Sequence, residues 1–240
     1  MIMYGARFYS HWIQCCFGLL VAFAATSQAA VLPIASYSMQ NGESGSQTYY
    51  DDTYGGPGSS GNPNVSGSFL SGGLGQLTNG LFAAPTDIFD DEWVGWTSIQ
   101  PTIVIDLGAT YFANSVGVHA SNWSPPFNDV GAPGSFNRAY SLNGTTFTTL
   151  PDYPTTVADR SGDDPRWVDV PFGVTARYVR VQPFDGIKQS GTGAGPPAKP
   201  WIFLDEIRVD GVPEPATWTL LTVATIAVLA RWRNSALARR

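Results

Sequence analysis

An all-β antiparallel sandwich of the jelly-roll kind is the fold class that the residues predict. Three observations carry it: short β-branched and aromatic runs alternate apolar with polar positions, Gly and Pro punctuate the gaps, and no amphipathic helical stretch separates the runs. The first run lies at 34–39, overlapping the start of a stretch (36–75) rich in Gly, Ser and Asn, with Tyr37, Tyr49, Tyr50 and Tyr54 scattered through it. Its low aliphatic content predicts long loops around one strand, with Tyr49-Tyr50-Asp51-Asp52 packing its rings on the domain edge. Strand signals resume after Trp93. In 102–107, Ile103, Ile105 and Leu107 share one face, and Gly108 ends the run. In the next strand Val116, Val118 and Ala120 define the apolar face, so His119, of opposite parity, points away from it. Residues 140–142, Asn143-Gly144 and 145–150 predict a hairpin, because both turn residues tolerate positive φ. Runs at 167–170, 177–182 and 202–209 complete the set, and the chain shows no internal repeat or heptad pattern.

Both ends of the chain read as addresses. Arg7, a largely apolar 12–25 and the small residues of Ser27-Gln28-Ala29 predict a signal peptide over 1–29, cut after Ala29. The only cysteines, Cys15 and Cys16, fall inside that leader, so the mature body must be stable through its core or through a bound metal. Residues 212–240 run Val212-Pro213-Glu214-Pro215, an apolar stretch over 216–230, Arg231-Trp232-Arg233 and a tail ending Arg239-Arg240. The apolar stretch is short of the roughly 20 residues that a helix needs to cross a bilayer. Trp232 at the headgroups and snorkelling Arg231 and Arg233 can hold such a transmembrane helix in a thin membrane, with the positive end cytoplasmic and the body outside. The two prolines make an extended joint between body and tail.

The body, 30–211, is long enough for one domain with a real core. It carries eight basic against eighteen acidic residues, a net charge of −10. Such a surface offers no basic stripe to a phosphate backbone and excludes nucleic acid as a partner; it suits cations and neutral sugars.

Chemistry is scarce in this body. His119 is its one histidine, and no Gly-x-Ser-x-Gly or His-Glu-x-x-His phrase accompanies it. Glycoside hydrolysis needs only two facing carboxylates, for which Asp90, Asp91, Glu92, Asp163 and Asp164 are candidates, but adjacent loop acids are more often solvated or cation-facing. Binding makes better use of what is present. Sugars stack their C–H faces on aromatic rings and pair hydroxyls with planar polar side chains. His119, Asn122, Trp123, Asn137 and Arg138 bracket one Pro/Gly-rich loop with that mixture, and Arg160, Asp163, Asp164 and Trp167 form a second. Trp123 also reads as a loop-packing aromatic, and Trp167 and Trp201 as strand-side packing. Glu206 shares strand parity with Ile202 and Leu204. A carboxylate on that apolar face needs a cation or a donor network; a strand-end pair with Arg208 or Arg177 is the other reading.

Two resemblances add to these readings. Pro213-Glu214-Pro215, followed by the apolar stretch and the arginine cluster, resembles the PEP-CTERM sorting signal of bacterial exported proteins. That implies processing by an exosortase-type membrane enzyme and association with extracellular polysaccharide. In the body, Leu77-Thr78-Asn79-Gly80, Trp93-Val94-Gly95-Trp96, Ile103-Val104-Ile105-Asp106-Leu107-Gly108, Tyr140-Ser141-Leu142-Asn143-Gly144-Thr145-Thr146-Phe147, Ala176-Arg177-Tyr178-Val179-Arg180-Val181 and Phe203-Leu204-Asp205-Glu206-Ile207 stand in an order that resembles the discoidin, or coagulation factor 5/8 type C, domain. This resemblance implies a galactose-binding-like jelly roll that binds glycans through loops at one end. It also implies a structural calcium ion between Asn79, where the family commonly has an aspartate, and Glu206. The expected protein is therefore an exported, non-catalytic carbohydrate-binding module of the cell surface or matrix, bound to exopolysaccharide. The alternatives are an adhesive matrix protein that binds other proteins, or a glycoside hydrolase.

Overall fold

Alternating apolar residues pair into nine strands among the residues that the computed structural model describes, which are 30–56, 65–85, 87–122, 130–160, 165–187 and 201–212. These are β1 (Ala30–Val31), β2 (Ser36–Gln40), β3 (Phe69–Gly73), β4 (Val94–Trp96), β5 (Ile103–Ala120), β6 (Ala132–Ser141), β7 (Thr148–Pro154), β8 (Arg166–Ile187) and β9 (Ile202–Val212). Every pairing between them is antiparallel. The expected signal peptide and sorting tail lie outside the described residues. Among the described residues no helix is long and apolar enough to cross a membrane.

The two long strands organise the rest. The first part of β5, at Val104 to Asp106, pairs with β2 on one side and β8 on the other, whereas Phe112 to Ala120 lies between β8 and β9. Gly108 does not end the strand as its sequence suggests. At φ +76° it adopts a conformation that L side chains rarely take, and the ladder resumes at Tyr111 after a register shift. Gly173, at φ +65°, plays the same part on β8, between the pairs Ser115 with Pro171 and Ala113 with Val174. The runs read as separate strands at 102–107 and 116–120, and at 167–170 and 177–182, are thus single strands that bend. Both portions bury their apolar faces in one core, Ile103, Ile105 and Val181 from the first and Val116, Val118 and Val170 from the second. The sheet folds over itself as an all-β sandwich.

Three other local readings change. Strand β3 and the pairing of β4 with β9 were not visible in the Gly- and Trp-rich phrases that form them. The hairpin exists, but Ser141 and Thr148 are joined by a longer loop than the Asn-Gly pair alone. Asn143 Oδ1 accepts from the N–H groups of Thr145 and Thr146, and Ser141 Oγ accepts from those of Asn143 and Gly144. Such side-chain acceptors satisfy a wide turn as a two-residue turn would satisfy itself. Finally, Tyr49 is not an edge residue: it joins Trp93, Phe203, Ala83 and Val130 in a second, smaller core.

Candidate functional site

A β-bulge on β9 builds the most chemically furnished surface of the described residues. His119 pairs with Glu206 but the next residue, Ala120, pairs with Leu204, so Asp205 is the extra residue of the bulge. Leu204 and Ile207, on either side, both enter the main core. The bulge breaks alternation, and Glu206 is out of phase with Ile202 and Leu204 rather than sharing their face, which corrects the parity reading. Neither arginine pairs with it. Arg208 contacts Asp169 and Asp210, both at 2.9 Å, and Arg177 contacts Asp106 at 2.9 Å.

The two bulge carboxylates grip one loop. Glu206 Oε2 accepts from Gly80 N–H at 3.0 Å and Asp205 Oδ2 accepts from Ala83 N–H at 3.0 Å. Between these clamps Leu81 and Phe82 are 56% and 53% exposed. The other oxygen of Asp205, wholly buried, lies 2.6 Å from His119 Nδ1. Phe82 meets the imidazole edge-on, with centroids 4.9 Å apart, and Trp167 tilts against it at 5.2 Å. Trp167 reaches this place through register, because it is the cross-strand partner of His119 on β8. One row further along stand Asp169, Gly117 and Arg208. A Cβ on Gly117 would lie 2.9 Å from Arg208 Cγ, so the glycine leaves the trough that Arg208 crosses. Its guanidinium sits 4.1 Å from the Trp167 ring centroid.

Buried hydrogen bonds fix the 3-10 turn (Gln76–Thr78) that leads into this loop. Asp51 is fully buried, and its carboxylate accepts from the Tyr37 hydroxyl and from Gln76 N–H at 2.9 Å. Gln76 in turn donates to the Asp91 carbonyl and accepts from Asp52 N–H at 3.1 Å. A Cβ on Gly75 would lie 2.2 Å from Asp51 Oδ1, so only glycine fits there. Burial pushes the Asp51 carboxyl up to about 6 against these donors, and burial with the Asp51 charge keeps the Tyr37 phenol protonated.

Of the two expected calcium ligands, Glu206 holds the backbone of the residue that follows Asn79. Asn79 Nδ2 donates to Glu92 Oε2 at 2.8 Å, Asn79 Oδ1 accepts from Leu81 N–H at 2.7 Å, and the adjoining Gly80 reaches Glu206. Burial, together with the charges of Asp205 and Glu92, raises the Glu206 carboxyl to about 7, with Gly80 N–H opposing. Glu206, Glu92 and the Asn79 carbonyl are an oxygen-only set with excess negative charge, the donor chemistry that a hard cation takes. Among the described residues, no cluster of three or more His, Cys, Asp or Glu is placed to hold a metal ion.

The binding residues read from the sequence divide. His119 is in the cluster just described, and Trp167, from the second set, stands beside it. Asn122 is buried, and Trp123 lies outside the described residues. Asn137 donates to Asp152 at 3.1 Å, while Arg138 gives its donors to the carbonyls of Pro151 and Pro171. Pro171 is four positions along β8 from Trp167, about 13 Å at ~3.3 Å per strand residue, so Arg138 and His119 belong to different parts of the surface. Of the second set, Arg160 falls in a 3-10 turn (Ala158–Arg160), and Asp163 and Asp164 lie outside the described residues. Asp90 is occupied in its own loop, accepting from the N–H groups of Ala84 and Glu92. Sequence reasoning missed Phe82, Asp205 and Arg208. Two adjacent acids inside an apolar strand run were the available signal for the bulge.

Comparisons with known proteins give one family match and several distant structural likenesses. Residues 77–195, just under half of the chain, match the F5/8 type C domain. Among solved structures, the chain resembles the C-terminal domain of a chitobiase from Bacteroides fragilis at 14% identity, covering 77% of this chain and 99% of that one, with a TM-score of 0.41. A truncated AlyQ with CBM32 and alginate lyase domains matches at 14% identity, over 79% of this chain and 35% of that one, with a TM-score of 0.39. A protein fragment from Bacteroides thetaiotaomicron matches at 19% identity, over 48% of this chain and 63% of that one, with a TM-score of 0.33. The chain thus spans less than two thirds of the last two. No curated protein matches it. What the comparisons support is an F5/8 type C domain over residues 77–195, within the antiparallel β-sandwich described above.

Proposed function

We propose that this protein is an exported, non-catalytic carbohydrate-binding module of the cell surface or extracellular matrix, and that its sugar contact centres on Phe82, His119 and Trp167. The observation that carries the reading is Phe82, more than half exposed yet clamped at both loop ends and seated on a fixed imidazole. A pre-ordered aromatic face beside planar polar groups is what a pyranose ring needs, because little ordering entropy remains to be lost on binding. The F5/8 type C match supports the same reading. Trp123, four residues beyond His119, is a further aromatic that this reading enlists. Arg138 and Asn137 are left out, since their donors are already engaged.

The tail extends the proposal. Pro213-Glu214-Pro215 and the segment after it are the substrate of an exosortase-type enzyme, which delivers the module to exopolysaccharide. A calcium ion held by Glu206, Glu92 and the Asn79 carbonyl would neutralise the junction under the Phe82 loop. The binding claim is tested by isothermal titration with galactose and neutral galactose-containing oligosaccharides. Phe82→Ala weakens binding by about tenfold, while its melting temperature stays close to wild type because the ring is largely solvated. Absence of heat with every one of these sugars would remove the reading.

A further inference from the structure

The bulge gives His119 a fixed chemical polarity as well as a fixed position. Asp205 is placed by the extra residue of β9, is fully buried, and has both oxygens engaged: Oδ2 accepts from Ala83 N–H at 3.0 Å and Oδ1 faces His119 Nδ1 at 2.6 Å. An ionised carboxylate only accepts, so the proton in the short contact is the imidazole's, on Nδ1. In a neutral imidazole the other nitrogen then carries a lone pair and no proton. Phe82 at 4.9 Å and Trp167 at 5.2 Å hem the ring in, which opposes the flip that would exchange the two nitrogens. Nε2 makes no hydrogen bond among the described residues, and the side chain keeps 12% exposure.

We propose that Asp205 is a positioning residue that locks the His119 tautomer, so that Nε2 meets the ligand as a hydrogen-bond acceptor and the site selects a sugar hydroxyl at that point. The inference rests on the carbohydrate-binding reading for its ligand but not for its tautomer. A hydroxyl supplies the donor that Nε2 requires. A carboxylate or carbonyl oxygen at the same point would face a lone pair, with Asp205, Glu206 and Asp169 on the surrounding strands adding like charge to a carboxylate. Asp205 never touches the sugar; it acts through the ring.

Asp205→Asn tests this with almost no change of shape. The amide oxygen can still accept from Ala83 N–H, but the amide nitrogen now donates to Nδ1 and moves the imidazole proton to Nε2. In full-length protein carrying 15N-histidine, at about pH 8, above the ordinary imidazole range, His119 shows the Nδ1–H tautomer, and Asp205→Asn shows Nε2–H. His119→Gln assigns the signal against His11. Galactose binding falls by about tenfold in Asp205→Asn with the fold retained. Finding Nε2–H in the wild type overturns the proposal without any variant. Finding wild-type affinity in Asp205→Asn once its tautomer has inverted overturns it too. If the tautomers are as expected and neither protein binds galactose or its neutral oligosaccharides, the functional reading fails, and the ligand half of this inference fails with it.

Discussion

Two buried carboxylates show how the number of donors decides what burial does to a charge. Burial opposes ionisation of Glu43, yet the Ser98 hydroxyl and the N–H groups of Ile99, Thr97 and Ser98 outweigh it and hold the group below the ordinary range. Asp51 has two donors to its carboxylate, and there burial wins. The signs follow from linkage. Glu43 contributes stability that is lost as pH falls below the usual carboxylate range. Folded Asp51 keeps its proton until about 6, whereas the unfolded chain releases it near 3.8, so its contribution declines as pH rises between those values. Asp51→Asn therefore stabilises the protein above that window relative to below it, by up to about 3 kcal/mol. Urea denaturation of both proteins on each side of the window reads the difference. A pH-independent gap between them would show that Asp51 does not titrate abnormally.

At the scale of the element, what matters is where strands depart from regularity. Gly108 and Gly173 let the two longest strands pass from one part of the sandwich to the other, both at positive φ. A side chain at Gly173 would meet nothing within 4 Å, so Gly173→Ala isolates the backbone cost, about 1 kcal/mol. At Gly108 the added Cβ also meets Ala35 Cβ at 3.2 Å. Gly108→Ala should lose more, about 2 kcal/mol, by the same denaturation measurement. Equal losses would mean that β2 yields to the methyl group. The third irregularity, the β9 bulge, carries function rather than curvature. It turns a strand-end Asp-Glu pair into a clamp for the Phe82 loop and an anchor for His119. A regular strand would have sent Asp205 and Glu206 to opposite faces.

At the largest scale the described residues form an acidic sandwich in which Ala30 pairs with Gly211 and Val31 with Asp210 on one sheet edge. Its negative charge would make any bound cation a stability term for the whole fold. If calcium joins Glu206 to the Asn79 loop, saturating calcium raises the unfolding free energy by about 3 kcal/mol at a hundred times its dissociation constant. Excess chelator then lowers the melting temperature; identical melting curves with and without chelator would discard the ion. The sequence by itself determined the all-β class and the aim of His119 away from the apolar face of its own strand. Those properties depend on composition and on alternation within single runs, which are local. Only the tertiary structure decided that four runs are two bent strands, that Asp205 and Glu206 sit in a bulge, and that Phe82, His119 and Trp167 meet while Arg138 stands apart. Cross-strand register and one extra residue settle which side chains become neighbours, and neither is encoded in the periodicity of the segment that carries it.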